Sequence, residues 1–122
     1  MSNLKPFLTF SSTVSEKAVN FYLATFPHSS LISSETAMGA TVTELIIAGQ
    51  DFIIMGMDSE VPLGSWATSY YFEADSIAEY DRIFTALAAE GTVIMSQEDF
   101  NAFKKVSWIT DQFGTTWQLV VK

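Results

Sequence analysis

The sequence predicts an α+β fold in which two βαβββ modules follow one another along a single chain. Strand-like and helix-like segments occur in the order strand, helix, strand, strand, strand, and this order occurs twice. A capping box opens each helix, at Thr13 and at Ser76, and the two boxes are 63 positions apart. We therefore expect one domain over residues 1–122, with module one at about 1–58 and module two at about 66–122.

Module one begins with a strand, continues through one helix and ends with three strands. The helix starts at the box Thr13-Val14-Ser15-Glu16 and stops at Pro27, because proline cannot continue a helix. Met38-Gly39 and Gly49-Gln50 supply turns between strand-like segments. The predicted strands are Leu4–Phe10, Leu31–Glu35, Thr41–Ala48 and Asp51–Met57.

Module two repeats this order and ends in a hairpin. Its helix starts at Ser76, Glu79 completes the box, and Gly91 stops the helix. The segment Gln97–Lys105, rich in Phe and polar residues, is predicted to be irregular. In the closing turn we expect Gly114 at positive φ, which glycine adopts at little steric cost. The predicted strands are Ser69–Glu73, Thr92–Met95, Val106–Ile109 and Thr115–Val121.

Composition argues against several classes of partner and site. The 122 residues carry six basic and fourteen acidic side chains, for a net charge of −8. Nucleic acids and anionic membranes repel such a surface, so neither is an expected partner. With no cysteine, the chain can form no disulfide, thiolate nucleophile or cysteine metal site. No signal-peptide pattern and no apolar run of roughly 20 residues is present, so we expect a cytoplasmic protein.

Two parts of the sequence resemble a known family. The opening PFLTF (6–10) with AVNFYLATFP (18–27), and the ending KVSWITDQFGTTWQLV (105–120), are similar to segments of the PhnB-like branch of the vicinal oxygen chelate superfamily. That superfamily includes glyoxalase I, bleomycin-resistance proteins and extradiol dioxygenases, and the branch is often labelled demethylubiquinone methyltransferase-like. The resemblance implies that the two modules form a glyoxalase-like open barrel with a ligand pocket, and that the protein is a homodimer.

The resemblance also implies where metal ligands would lie. Metal-dependent members take four ligands, typically His and Glu, from the first and last strands of each module. The matching positions are Ser69 and Gln118 in module two and, through the 63-residue offset, Pro6 and Met55 in module one. None of these residues or their immediate neighbours is a histidine or a carboxylate, the side chains that divalent transition metals prefer. We therefore expect no metal and no other cofactor.

Six side chains are candidate ligand contacts: Gln118, Ser69, Met55, Tyr70, Phe100 and Phe103. The first four could line the implied pocket together with Tyr71, although the sequence is equally compatible with a purely structural hydrogen bond at Gln118. The two phenylalanines lie in the predicted irregular segment and are candidates for a lid, since long loops are often functional.

Other chemistry-bearing residues favour structural roles. His28 is the only histidine and follows Pro27 at a helix end. Glu44 alternates with apolar residues in a strand, where a structural carboxylate is more common than a general base of raised pKa. We expect the three tryptophans in the core rather than in a stacking site: Trp66, Trp108 and Trp117.

The predicted function is the binding of a small molecule without a metal, for sequestration or sensing. The alternative is a metal-independent enzyme of the same fold that uses carboxylate or tyrosine acid–base chemistry. A structural or regulatory protein with a vestigial cavity is a third hypothesis. Methyl transfer is disfavoured because no glycine-rich strand-to-helix turn is present to hold adenosylmethionine.

Overall fold

The computed structural model describes residues 2–122, which form eight strands and two helices. The chain divides into two compact units, one ending at Pro62 and the other beginning at Leu63. Each unit contains one four-stranded sheet and one helix, so the predicted α+β class and the duplicated βαβββ order are confirmed. Within the described residues, neither helix is long and apolar enough to cross a membrane.

The first unit is a mixed sheet with one helix. Its elements are β1 (Phe7–Ser11), α1 (Ser12–Thr25), β2 (Ser30–Ala37), β3 (Ala40–Ile47) and β4 (Gln50–Met57). The strand order is β1-β4-β3-β2, in which β1 and β4 are parallel and the other pairs are antiparallel. Both residues of the turns Met38-Gly39 and Ala48-Gly49 have positive φ, as type I′ hairpin turns require.

The helix α1 packs on three strands and leaves β2 uncovered. Its Tyr22 is fully buried, together with Leu45 and Ile54 of the sheet. The helix contacts β1, β3 and β4, whereas every residue of β2 is exposed. At Gly56 the helix comes so close to β4 that an added Cβ would overlap the side chain of Ser15. A small residue at each of these two positions therefore sets how closely α1 approaches the sheet.

The second unit has the same topology. Its elements are β5 (Tyr70–Glu73), α2 (Ile77–Ala88), β6 (Thr92–Phe100), β7 (Phe103–Thr110) and β8 (Thr116–Val121). The strand order is β5-β8-β7-β6, with β5 and β8 parallel. The apolar side of α2 buries Ile83 and Leu87 against the sheet, where Ile109 and Leu119 are also fully buried. Burial of such side chains stabilises the unit by roughly 1.5–3 kcal/mol each.

The closing turn forms as predicted, with Gly114 at φ +91°. Asp111 holds it together from a buried position, 3% exposed. Its Oδ1 accepts hydrogen bonds from the backbone N–H groups of Phe113 at 2.9 Å and Thr115 at 3.1 Å. Its Oδ2 accepts a third bond, at 2.9 Å, from the indole Nε1 of Trp117. One carboxylate therefore joins the turn to the strand that follows it.

Two predictions about local structure are wrong. The first helix begins at Ser12 with Ser11 as its N-cap, not at Thr13, and no side chain caps it. The segment Gln97–Lys105 is not irregular, because β6 continues to Phe100 and β7 begins at Phe103. Asp99 and Asn101 adopt positive φ at this hairpin end. Short polar side chains tolerate that conformation, so a tight turn forms there without glycine.

The wrong N-cap assignment also explains why the predicted offset of 63 residues between the two modules is wrong. The true caps, Ser11 and Ser76, are 65 residues apart, and so are the buried helix residues Tyr22 and Leu87. Strand pairing is consistent with this offset, since Leu8 pairs with Ile54 as Phe72, 64 residues after Leu8, pairs with Leu119, 65 residues after Ile54. The structural offset is therefore 64 or 65 along these elements instead of 63.

Candidate functional site

Gln118 and Ser69 lie together at one side of the second sheet. The carboxamide Nε2 of Gln118 donates a hydrogen bond of 2.9 Å to the hydroxyl of Ser69, although the two residues are 49 apart in sequence. The parallel pairing of β5 with β8 produces this contact, because it places Tyr71 beside Gln118 and Ser69 just before it. Both side chains are half-buried.

These two residues define what we call the Gln118 face, the side of the second sheet that points away from α2. The fully buried Ser107 and Leu119 pair across β7 and β8, and Tyr80 of α2 lies against Ser107. The side of the sheet that carries Ser107 and Leu119 therefore faces the helix. Alternation sends the intervening residues to the opposite side. The Gln118 face therefore carries Ser69, Tyr71, Glu73, Trp108 and Gln118.

Trp108 is the residue of this face that the sequence analysis assigned to the core. It pairs directly with Gln118 across β7 and β8. Its indole Nε1 is buried and has no hydrogen-bond partner among residues 2–122. Trp66 meets it edge-on, with ring centroids 5.2 Å apart and an interplanar angle of 86°. Of the three tryptophans, Trp117 is in the core at 3% exposed, whereas Trp66 is 57% exposed.

A second set of interacting polar side chains lies on the same face. The Tyr71 phenol donates a hydrogen bond of 3.4 Å to Glu73 Oε1, and Lys122 Nζ lies 3.3 Å from that oxygen. Partial desolvation and the neighbouring Glu73 charge raise the pKa of Tyr71. The phenol consequently stays protonated near neutral pH, where it can donate a hydrogen bond but is a poor general base.

Tyr70 lies on the other side of the sheet from Gln118. Its ring contacts Trp117, with centroids 5.5 Å apart, and the two residues pair between β5 and β8. Burial raises the pKa of its phenol. The structure therefore separates Tyr70 from Ser69 and Gln118, and Tyr71 takes the position beside Gln118 because successive side chains of a strand alternate between faces.

Phe100 and Phe103 do not lie on the Gln118 face of the second sheet. Phe100 and Phe103 pair with each other at the end of the β6–β7 hairpin. The lid hypothesis for them relied on an irregular segment, which the structure replaces with a regular hairpin. Met55 lies in the first unit, on the side of β4 away from α1, where it pairs with Val42.

The positions that the resemblance assigns to metal ligands do not fit a divalent metal ion. With the corrected offset, the module-one counterparts of Ser69 and Gln118 are Lys5 and Ile53, instead of Pro6 and Met55. In module two, an amide nitrogen of Gln118 already donates to the hydroxyl of Ser69. An ammonium and an alkyl side chain offer no lone pair to a metal at neutral pH. Among the described residues, no three His, Asp or Glu side chains converge as a metal site would require.

Comparisons with known proteins agree with this fold. The family described as 3-demethylubiquinone-9 3-methyltransferase matches residues 2–120. A PhnB protein from Bacillus cereus has 27% identity, covers 99% of this chain and 100% of its own, and gives a TM-score of 0.85. Protein PA1353 from Pseudomonas aeruginosa has 25% identity, coverage of 100% and 98%, and a TM-score of 0.73. No curated protein matches the chain.

A third solved structure shows the fold alone. It is a glyoxylase/bleomycin resistance protein/dioxygenase domain from Frankia sp., with 14% identity, coverage of 99% of this chain and 98% of its own, and a TM-score of 0.70. Together with the eight strands and two helices described above, this similarity confirms the predicted glyoxalase-like fold.

Proposed function

The chain belongs to the 3-demethylubiquinone-9 3-methyltransferase family, and we propose that it binds a small organic molecule without a metal ion. The observation that carries the proposal is the Gln118 face. There the hydrogen bond between Gln118 and Ser69 joins two of the positions to which the resemblance assigns metal ligands. Beside that bond lies the buried, unpaired indole N–H of Trp108.

The groups on this face indicate the chemistry of the ligand. A buried donor without a partner costs roughly 1–3 kcal/mol, so an acceptor oxygen of a ligand would be favourable at Trp108 Nε1. The Gln118 carboxamide oxygen can accept from a ligand donor, and the exposed Trp66 ring offers an aromatic surface. A planar or partly apolar molecule with a carbonyl group has this combination of features.

The description of the family does not fit the elements that a methyltransferase would need. Adenosylmethionine is commonly held at a glycine-rich turn between a strand and the helix that follows it. In this chain the two such junctions, Ser11-Ser12 and Ala74-Asp75-Ser76, contain no glycine. We therefore favour binding over methyl transfer.

The test begins with untagged protein analysed by native mass spectrometry for a co-purified ligand and by elemental analysis for transition metals. The identified ligand is then titrated against tryptophan fluorescence in Trp108→Phe, which keeps a ring and removes the N–H. We expect substoichiometric metal and about tenfold weaker binding, the equivalent of one lost hydrogen bond. Trp66→Phe is the matched control and should retain most of the affinity.

Two outcomes would overturn this proposal. One is a stoichiometric Zn, Ni, Fe or Mn signal that Gln118→Ala removes. The other is ligand binding that Trp108→Phe leaves unchanged while Trp66→Phe weakens it, because the donor would then contribute nothing.

A metal-independent enzyme is the second candidate function, and Glu44 is the residue that favours it. Glu44 is half-buried in β3 and pairs with Ile53, on the side of the first sheet away from α1. A carboxylate in apolar surroundings can act as a general base. If the ligand is turned over by the wild type and not by Glu44→Gln, while both bind it equally, this function replaces the first. If the ligand is recovered chemically unchanged, binding remains the function.

The proposal also places the protein in the cytoplasm as a homodimer. The absence of cysteine suits a reducing compartment. Exposed apolar side chains on the outermost strands of both sheets, including Ile32 and Ile94, support association with a second copy.

A further inference from the structure

The first unit has an open groove on the α1 side of its sheet, between the helix and the strands β2 and β3. Its volume is about 400 Å³, within the range of small-molecule pockets. The groove exists because α1 covers β1, β3 and β4 but leaves β2 exposed. Its polar lining includes Ser15, Glu16, Ser34, Thr36, Thr41 and Thr43, and no Lys, Arg or His contributes to it.

In the second unit the corresponding place is largely filled by the protein's own side chains. The Tyr80 ring, 3% exposed, packs under the β6–β7 strands. The Lys105 ammonium lies 5.6 Å from the centroid of that ring and 2.7 Å from Asp81 Oδ1, with Glu98 Oε1 at 3.9 Å. The hydrogen bond with Asp81 raises the pKa of Lys105, so the nitrogen remains an ammonium. Only about 170 Å³ is left open.

The repeat relates the two places residue by residue. The helix offset of 65, fixed by the N-caps, equates Ser15 with Tyr80 and Glu16 with Asp81. Strand pairing equates Thr41 with Lys105, because Thr41 pairs with Gly56 as Lys105 pairs with Val121, the residue 65 positions later. Module one thus keeps a carboxylate where module two has Asp81, but it lacks both the aromatic ring and the ammonium.

We propose that this groove binds a small protonated amine that carries a ring, such as an arylalkylammonium ion. Its ammonium would pair with Glu16 and donate hydrogen bonds to the hydroxyl oxygens of Thr36 and Thr41, as Lys105 pairs with Asp81 and Glu98 in module two. Its ring would occupy the space beside Ser15, where module two has Tyr80, against the apolar side chains of Val19 and Leu31. The net charge of −8 attracts a cation and repels an anion.

This inference is independent of the function proposed for the Gln118 face, which lies in the other unit. Either proposal can fail without affecting the other, because their variants change different residues.

The experiment uses 2-phenylethylamine as the probe with the full chain, by ligand-observed and amide-detected NMR. Two matched compounds lack one feature each: 2-phenylethanol has no charge, and ethylamine has no ring. We expect the amine with the ring to bind at least about tenfold more tightly than either compound, as expected for loss of one charged hydrogen bond or one buried ring. Its amide shifts should map to α1, β2 and β3.

Two pairs of variants test the position of the site. Glu16→Gln should weaken binding about tenfold, whereas Asp81→Asn, the equivalent change in module two, should leave it unchanged. Ser34→Tyr places a ring into the groove from an exposed strand and should abolish binding. Ser33→Tyr is its control, since the adjacent residue points to the other side of β2.

The proposal is overturned if no member of the series binds, or if 2-phenylethanol binds as tightly as the amine. It is also overturned if Glu16→Gln and Ser34→Tyr bind like the wild type. Amide shifts confined to the Gln118 face would assign the amine to that face instead and would equally reject this site.

Discussion

At the scale of single residues, Asp111 shows how a buried carboxylate can organise a hairpin. Both of its oxygens are used, one by two backbone N–H groups and the other by the Trp117 indole. A buried polar group is favourable only when its partners are present. The sequence indicated a turn at Asp111–Gly114 but gave no sign of the bond to Trp117, because that bond depends on how β8 returns beside β7.

Asp111→Asn should lower the free energy of unfolding by about 1–3 kcal/mol. The amide oxygen can replace Oδ1, but the amide N–H₂ then faces the Trp117 N–H, and two donors oppose each other. Trp117→Phe removes that indole donor, so the cost of Asp111→Asn should be smaller in the Trp117→Phe background. Urea denaturation of the wild type, both single variants and the double variant measures the coupling. Equal costs in the two backgrounds would show that the indole bond contributes no stability.

Gly114→Ala should also destabilise the second unit, by more than about 1 kcal/mol. Its φ of +91° disfavours any Cβ, and the added atom would lie 3.0 Å from Leu63 Cδ2 and 3.1 Å from Leu63 Cβ. Thermal unfolding should show a lower melting temperature, and Leu63→Ala in the same chain should restore part of it. Gln112→Ala, at an exposed position of the same turn, is the control. An unchanged melting temperature for Gly114→Ala would contradict this account of the turn.

At the scale of elements, the two helices differ in how they begin. In α2, Ser76 Oγ accepts from the Glu79 backbone N–H at 3.1 Å, and the Glu79 carboxylate accepts from the Asp75 N–H at 3.1 Å. In α1, the N-cap Ser11 makes no such bond. The capping-box pattern was therefore correct for module two and misleading for module one, where a serine two residues before Thr13 ends the extended strand.

Ser76→Ala should cost about 1 kcal/mol of stability, the usual effect of losing a side-chain N-cap. Ser11→Ala should cost clearly less, because that hydroxyl satisfies no backbone N–H of the helix and contacts only the Thr13 hydroxyl, at 3.0 Å. Chemical denaturation of the two variants provides the comparison. If Ser11→Ala proves as costly as Ser76→Ala, the assigned start of α1 is incorrect.

The class and order of elements could be predicted because each depends on local patterns. Strand alternation, proline at Pro27 and glycine turns were enough to place four strands and a helix in each module. The candidate site was harder to predict, because the face of the sheet on which a side chain lies depends on the register between strands. A shift of one residue between β1 and β4 exchanges the two sides of a strand, and the N-cap error at Thr13 caused such a shift in the repeat. It displaced the counterpart of Ser69 by one residue, from Lys5 to Pro6, and that of Gln118 by two residues, from Ile53 to Met55.

At the scale of the whole molecule, the two units share a bulge with an exposed apolar residue on one edge strand each. One edge strand of each sheet, β2 in the first and β6 in the second, has a bulge at the equivalent place, between Leu31 and Ser33 and between Val93 and Met95. In each case the bulged residue is an exposed isoleucine, Ile32 or Ile94. Exposed edge strands usually carry charges or proline that prevent association. Apolar residues at these edges therefore favour a surface that is covered by another chain.

We expect the protein to be a homodimer in which one or both of these edges are buried. Light scattering at micromolar concentration should give twice the chain mass of 13.5 kDa. A stable interface of roughly 1,000 Å² or more needs apolar contacts near its centre, so a charge there should be poorly tolerated. The double variant Ile32→Lys with Ile94→Lys should shift the mass towards one chain at the same concentration. Met38→Lys changes an even more exposed apolar residue, at a turn, and should remain dimeric. A wild type that is monomeric throughout rejects the dimer, and a double variant that stays dimeric rejects these edges as its interface.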